Sequence, residues 1–214
     1  MASKILVDEL APQSHATDVT IATGKKIAGA ITQLKMTGGA AGNIIETDVS
    51  GNLSFIAPTV GLSNSSQFRI TADFVGAANP ITLNWELLDS PVGFGQLGPA
   101  VVETGGTFSY PAGGTGLGYW LVEFKTMTDG SAHSHIVIDI STTTNNSTYA
   151  KAAEGRAGTY YGYCNPTCSF IQKVVDITQD KVKFNFNYTA ITVTTHGDTA
   201  FNETTATFTK LGVL

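Results

Sequence analysis

Few residues in this chain have types and spacing that could do chemistry: His133 and His135, Cys164 and Cys168, Asp176 and Asp180, and the group Tyr160, Tyr161 and Tyr163. On a strand, His133-x-His135 would point both rings to one face, a spacing that chelates a metal or stacks around a three-fold axis. Apart from Asp139 no carboxylate or thiol lies nearby, so a surface or loop role is expected instead. Cys164 and Cys168 flank Asn-Pro-Thr. Two thiols are too few for a zinc site, and their spacing is not that of a thioredoxin-like pair. A local disulfide across the proline turn and two unpaired, partly buried thiols are both open. Asp176 and Asp180 sit where Asp is favoured for its own turn hydrogen bonds. Trp85, Trp120 and the three tyrosines offer faces on which a sugar can stack, with Tyr160, Tyr161 and Tyr163 the expected glycan-binding surface. The Asn-x-Ser/Thr triplets at Asn64, Asn146, Asn187 and Asn202 follow from a composition rich in those residues. No Gly-x-Ser-x-Gly elbow and no His-Glu-x-x-His helix occurs. No catalytic residue, cofactor or metal is therefore expected.

The elements that carry these residues are strands. Lys181–Tyr188 alternates Val182, Phe184, Phe186 and Tyr188 with Lys and Asn, as a half-buried strand does. Gln67–Phe74 and Ile81–Leu87 repeat the pattern, and Ser134–Ile140 follows it with Val137 as the exception. Val101–Val102, Thr107–Tyr110, Tyr119–Lys125, Ser169–Val175, Ala190–Thr195 and Thr205–Leu211 are further candidates between turn residues. About ten short strands from residue 65 onward indicate an all-β sandwich or barrel. Ala150–Ala157 contains Gly155 and has no apolar stripe, so it reads as a loop or single turn.

Of the 214 residues, 42% are hydrophobic, enough for one substantial core plus an extension. Charged residues make up only 14%, against roughly 25% in ordinary domains. The net charge of −5 comes without a basic cluster, which argues against nucleic acid and anionic membranes as partners. The N-terminus has no apolar stretch of signal-peptide length, and no run approaches a membrane span, so neither leader nor membrane insertion is expected.

Residues 1–38 are too poor in bulky apolar groups for a core and read as an extended arm ordered against a partner. Asn43–Asp48 and Asn52–Ile56 flank a turn at Ser50-Gly51-Asn52, a hairpin too small to stand alone. Gly39–Phe55 resembles the Gly-x-x-Gly-x-x-Leu-x-x-Asp-x-x-Gly-Asn-Leu-Ser-Phe element of bacteriophage tail-fibre and appendage proteins, with Ile45 in place of the Leu.

Thr107–Phe124 resembles the Phe-x-x-Pro-x-x-Gly-x-Tyr-x-Phe signature of the complement and tumour-necrosis-factor type of jelly roll, with Phe108, Pro111 and Tyr119 in the matching roles. The Pro-to-Tyr gap is longer here, and the family's closing Phe-Ser-Gly-aromatic-Leu is Phe-Thr-Lys-Leu-Gly-Val-Leu. The resemblance covers about residues 65–214. It implies a ten-stranded, two-sheet antiparallel sandwich assembled as a homotrimer around aromatic and aliphatic side chains. Phe108, Tyr119, Trp120, Phe184, Phe186 and Phe208 are the expected core or trimer residues. The strand runs 182–188 and 119–122 also look bulkier than one small sandwich face can bury, an independent reason to expect assembly.

Together these readings give an arm over 1–38, a short β stalk over 39–64 and a jelly-roll head over 65–214. The function expected is that of a phage virion protein, a trimeric short fibre, spike or capsid decoration protein made in the host cytoplasm. Its partners would be itself, a capsid or tail protein and a host-surface glycan. The alternative is a secreted carbohydrate-binding jelly-roll module.

Overall fold

The computed structural model describes residues 44–47, 53–56, 62–88, 96–130, 134–159, 162–189 and 193–214. The chain separates into two units, 1–58 and 59–214. In the first, β1 (Ile44–Thr47) pairs antiparallel with β2 (Leu53–Ile56), Ile45 opposite Phe55. The hairpin expected from the sequence is therefore formed, although its turn lies outside the described residues, as do residues 1–43.

The second unit is a sandwich of two five-stranded antiparallel sheets. One runs β11 (Ala150–Thr159), β10 (Ser134–Thr143), β14 (Lys181–Thr189), β7 (Thr107–Ser109), β6 (Val102–Thr104). The other runs β13 (Thr167–Val174), β8 (Gly118–Lys125), β16 (Thr205–Gly212), β3 (Ser65–Ile70), β5 (Trp85–Leu87). A smaller sheet joins β12 (Gly162–Cys164), β9 (Thr128–Gly130), β15 (Val193–Thr195) and β4 (Phe74–Val75).

Alternation makes the core. Val182, Phe184 and Phe186 of β14 and Trp120, Val122 and Phe124 of β8 all point inward and are essentially inaccessible. Phe108 is the hub, with ring centroids 4.9 Å from Phe184, 5.0 Å from Phe68, 5.2 Å from Trp85 and 5.5 Å from Phe208. Edge-on and offset rings at these distances add attraction beyond the area they bury. The inward residues of the strand runs expected to overfill one sandwich are thus accommodated within a single chain, while Tyr119 and Leu121 point outward. The assembly argument built on β14 falls away.

Three buried polar side chains find partners next to the glycine-rich segment and β13. Trp120 Nε1 donates to Gly116 O at 2.9 Å, Lys210 Nζ donates to Thr115 O at 2.8 Å, and Tyr110 OH donates to Gln172 at 2.7 Å. The first two hold down the glycine-rich segment that lengthens the gap between Pro111 and Tyr119.

Three strand expectations change. Ala150–Ala157 is not a loop but most of β11, a ten-residue edge strand. Its inward positions are Ala153, Gly155 and Ala157, so no bulky stripe marks it; a Cβ on Gly155 would sit 2.3 Å from Thr167 O. The strand read over Ile81–Leu87 shortens to β5, because Asn84 takes a positive φ of 64° that breaks the extended run. Gln67–Phe74 likewise divides between β3 and β4.

Candidate functional site

With the inner faces consumed by the core, the sheet surface that the described residues leave open is on the outer faces and at the smaller sheet. On β8 the outward side chains are Tyr119, Leu121, Glu123 and Lys125; on β13 they are Thr167, Ser169, Ile171 and Lys173. Register aligns them in rows. Ile171 lies opposite Leu121, Leu121 opposite Thr209, and Thr209 opposite Ser65. The next row is Ser169, Glu123, Thr207 and Gln67, with Gln67 Nε2 donating to Thr207 Oγ1 at 2.9 Å. Ile171 is 59% exposed and Tyr119 40%. A depression of about 410 Å³, lined among others by Glu123, Lys125, Ser169, Thr205 and Thr207, opens on this sheet.

The outer face of the other sheet is a polar network. Asp139, only 4% exposed, accepts from Asn185 Nδ2 at 2.6 Å and Ser141 Oγ at 3.0 Å, and Asn187 Nδ2 approaches at 3.4 Å. Glu154 pairs with Lys151 and Arg156, and these hydrogen bonds, that of Lys151 first, hold its carboxyl below the usual range. The Lys183 ammonium lies 4.0 Å from the Tyr149 ring centre.

Of the residues singled out in the sequence, Phe108, Trp120, Phe184, Phe186 and Phe208 are wholly buried in the core of one chain, while Tyr119 stands on the outer face. The Trp120 and Trp85 rings pack in or against that core, so neither is a platform for a sugar. Tyr160 and Tyr161 lie outside the described residues; Tyr163 on β12 is 67% exposed. His133 is also outside them, and His135 is exposed on β10. Cys164 and Cys168 are both free thiols. Cys164 Sγ lies 3.0 Å from Thr128 Oγ1, and burial first, then the charge of Asp139, pushes the Cys168 thiol up to about 12. Asp180 Oδ2 accepts from the backbone of Val175 and Asp176, and Asp176 Oδ1 accepts from Thr178, which depresses its carboxyl. The aspartate pair thus builds a turn.

A grouping that the sequence reading missed surrounds His196. Its Nδ1 lies 3.2 Å from Asp73 Oδ2 and its Nε2 3.5 Å from Asp129 Oδ2. Ligand atoms of Asp73, His196 and Glu203 fall within 4.8 Å of one another. Gly197 N donates to Asp73 Oδ1 at 2.9 Å, and a Cβ at Gly197 would meet Ile70 and Ala72 backbone oxygens, so the loop sits tight on β3. The Tyr163 ring packs against the imidazole, centroids 5.5 Å apart. The only local signal was a histidine followed by Gly197-Asp198 and, further on, Glu203.

The sequence matches no known family profile and no curated protein. Among solved structures, the chain is similar to the Eiger TNF from S. frugiperda, with a TM-score of 0.53 at 12% identity over 72% of this chain and 96% of that one. It is also similar to murine APRIL at pH 5.0, with a TM-score of 0.50 at 8% identity over 69% of this chain and 98% of that one. At such identities the likeness concerns fold: the head is an all-β, antiparallel sandwich of the TNF-like jelly-roll kind, as the sequence of residues 107–124 implied.

Proposed function

We propose that this chain is a non-enzymatic virion structural protein of a phage, a homotrimeric short fibre, spike or capsid decoration protein. The observation that carries self-association is the row Ile171, Leu121, Thr209 and Ser65 on the outer face of the β13-β8-β16-β3-β5 sheet. It sets aliphatic and hydroxyl groups, with Tyr119 one row away, where a second copy can cover them. The phage assignment rests on the resemblance of Gly39–Phe55 to appendage proteins, a stretch in which the β1–β2 pairing is formed. In this reading residues 1–38 anchor the chain to a capsid or tail protein, 39–64 form the neck, and the head faces the medium for host-glycan binding or particle stabilisation.

The exposed ring of Tyr163 favours a second reading, a secreted carbohydrate-binding module of the same fold. Purified particles separate the two. The full chain is expected in particles by mass spectrometry, and a chain lacking residues 1–38 is expected to fold and stay out of them. Absence of the full chain from particles, or incorporation of the truncated one, contradicts the virion reading.

A further inference from the structure

We propose that Asp73, His196 and Glu203, oriented by Asp129, bind one divalent transition-metal ion of the Zn²⁺ type. Four separate segments bring these residues together: Asp73 precedes β4, Asp129 lies in β9, His196 follows β15 and Glu203 precedes β16. The imidazole is only 16% exposed and stands between two carboxylates, Asp73 at Nδ1 and Asp129 at Nε2. A neutral imidazole donates from one nitrogen and accepts at the other. Between two carboxylates, which accept only, one ring nitrogen would face an oxygen lone pair to lone pair. Nε2 is buried and makes no hydrogen bond of good geometry. Asp73 and Asp129 each approach the imidazole of His196, from opposite ring nitrogens.

A cation on Nδ1 resolves both conflicts. It replaces the proton between Nδ1 and Asp73, gains Glu203 as a further oxygen ligand, and leaves the proton on Nε2 facing Asp129. A histidine whose second nitrogen donates to a carboxylate is the usual arrangement of a metal-bound imidazole. The nitrogen ligand selects against Ca²⁺ and Mg²⁺, which take oxygen. Tetrahedral Zn²⁺ with bonds of about 2.0–2.2 Å needs ligand atoms nearer together than 4.8 Å. Asp73 Oδ2 already lies 3.2 Å from Nδ1, close to the spacing of two ligands on one tetrahedral ion. The ion would clip the loop ahead of β16 to β4 and β9, next to the exposed Tyr163.

Calorimetric titration of the full chain with ZnCl₂, and separately with CaCl₂, tests the site. One Zn²⁺ per chain is expected, with a rise in Tm. His196→Ala should abolish binding, Asp129→Asn should weaken it roughly 10- to 100-fold, and Glu203→Gln at least as much. Glu203→Gln preserves shape, so its effect stands even if His196→Ala unfolds. No Zn²⁺ binding at millimolar concentration overturns the proposal. Unchanged affinity in Glu203→Gln, or preferential Ca²⁺ binding, overturns it equally.

Discussion

On the outside of the β11-β10-β14-β7-β6 sheet the central row reads Glu154, Asp139, Asn185; on the outside of its counterpart a central row reads Ile171, Leu121, Thr209, Ser65. Both sheets bury the same kind of aromatic inner face, so the core does not distinguish them. The difference lies in what each outer face has left to offer. Asp139, Asn185, Asn187 and Ser141 satisfy one another, and covering them would bury polar groups already paired, at a desolvation cost and without new bonds. Ile171 and Tyr119 have no such partners among the described residues, and burying them against a second copy would release water from apolar surface. In the proposed trimer the two faces of one sandwich would have opposite duties, solvent on one side and assembly on the other.

The largest effect should come from a change beneath both faces, which sets the scale. Phe184→Ala removes a ring packed on Phe108, Phe124 and Phe208, and is expected to cost about 3–5 kcal/mol in chemical denaturation, with assembly lost as well. Ile171→Asp should separate the two duties. A charge buried without a partner costs the assembly about 3–5 kcal/mol, while the isolated subunit changes by less than about 0.5 kcal/mol. Asp139→Leu should do the reverse, leaving Asn185 and Ser141 without their acceptor for a stability loss of about 1–3 kcal/mol and unchanged association by sedimentation. If both substitutions dissociate the protein, the two faces are not specialised.

The effect that vanishes at neutral pH concerns Cys168, whose thiol is pushed up to about 12 from an ordinary 9.0. Below the ordinary value folded and unfolded chains carry the same proton. As pH rises from 9 towards 12 the unfolded chain loses it first, so stability should fall across that window, and Cys168→Ser should flatten the decline in Tm.

Why some of this was legible in the sequence and some was not follows from particular residues. β14 announced itself because every inward position carries a bulky group. β11 did not, because Ala153, Gly155 and Ala157 are what a strand needs where Thr167 approaches closely, and small residues leave no periodic signal. Asn84 concealed a break, since a left-handed residue interrupts a strand without disturbing alternation. Tyr163 was readable as an exposed aromatic, although it lies on β12, and Tyr119 as part of the jelly-roll signature. The surroundings of His196 were not, because Asp73 lies 123 positions away and meets it only through the β15–β4 pairing, which neither short strand reveals alone.

The central claim is that the Ile171–Leu121 face, and not the Asp139 face, is where copies meet. Light scattering of the full chain and of Ile171→Asp tests it most directly. The account predicts a particle of three 22.4 kDa chains for the unaltered protein and a single folded 22.4 kDa chain for the variant, its Tm lowered only by the stabilisation that assembly supplied. A 22.4 kDa particle for the unaltered protein, or a trimer that survives Ile171→Asp, would contradict it.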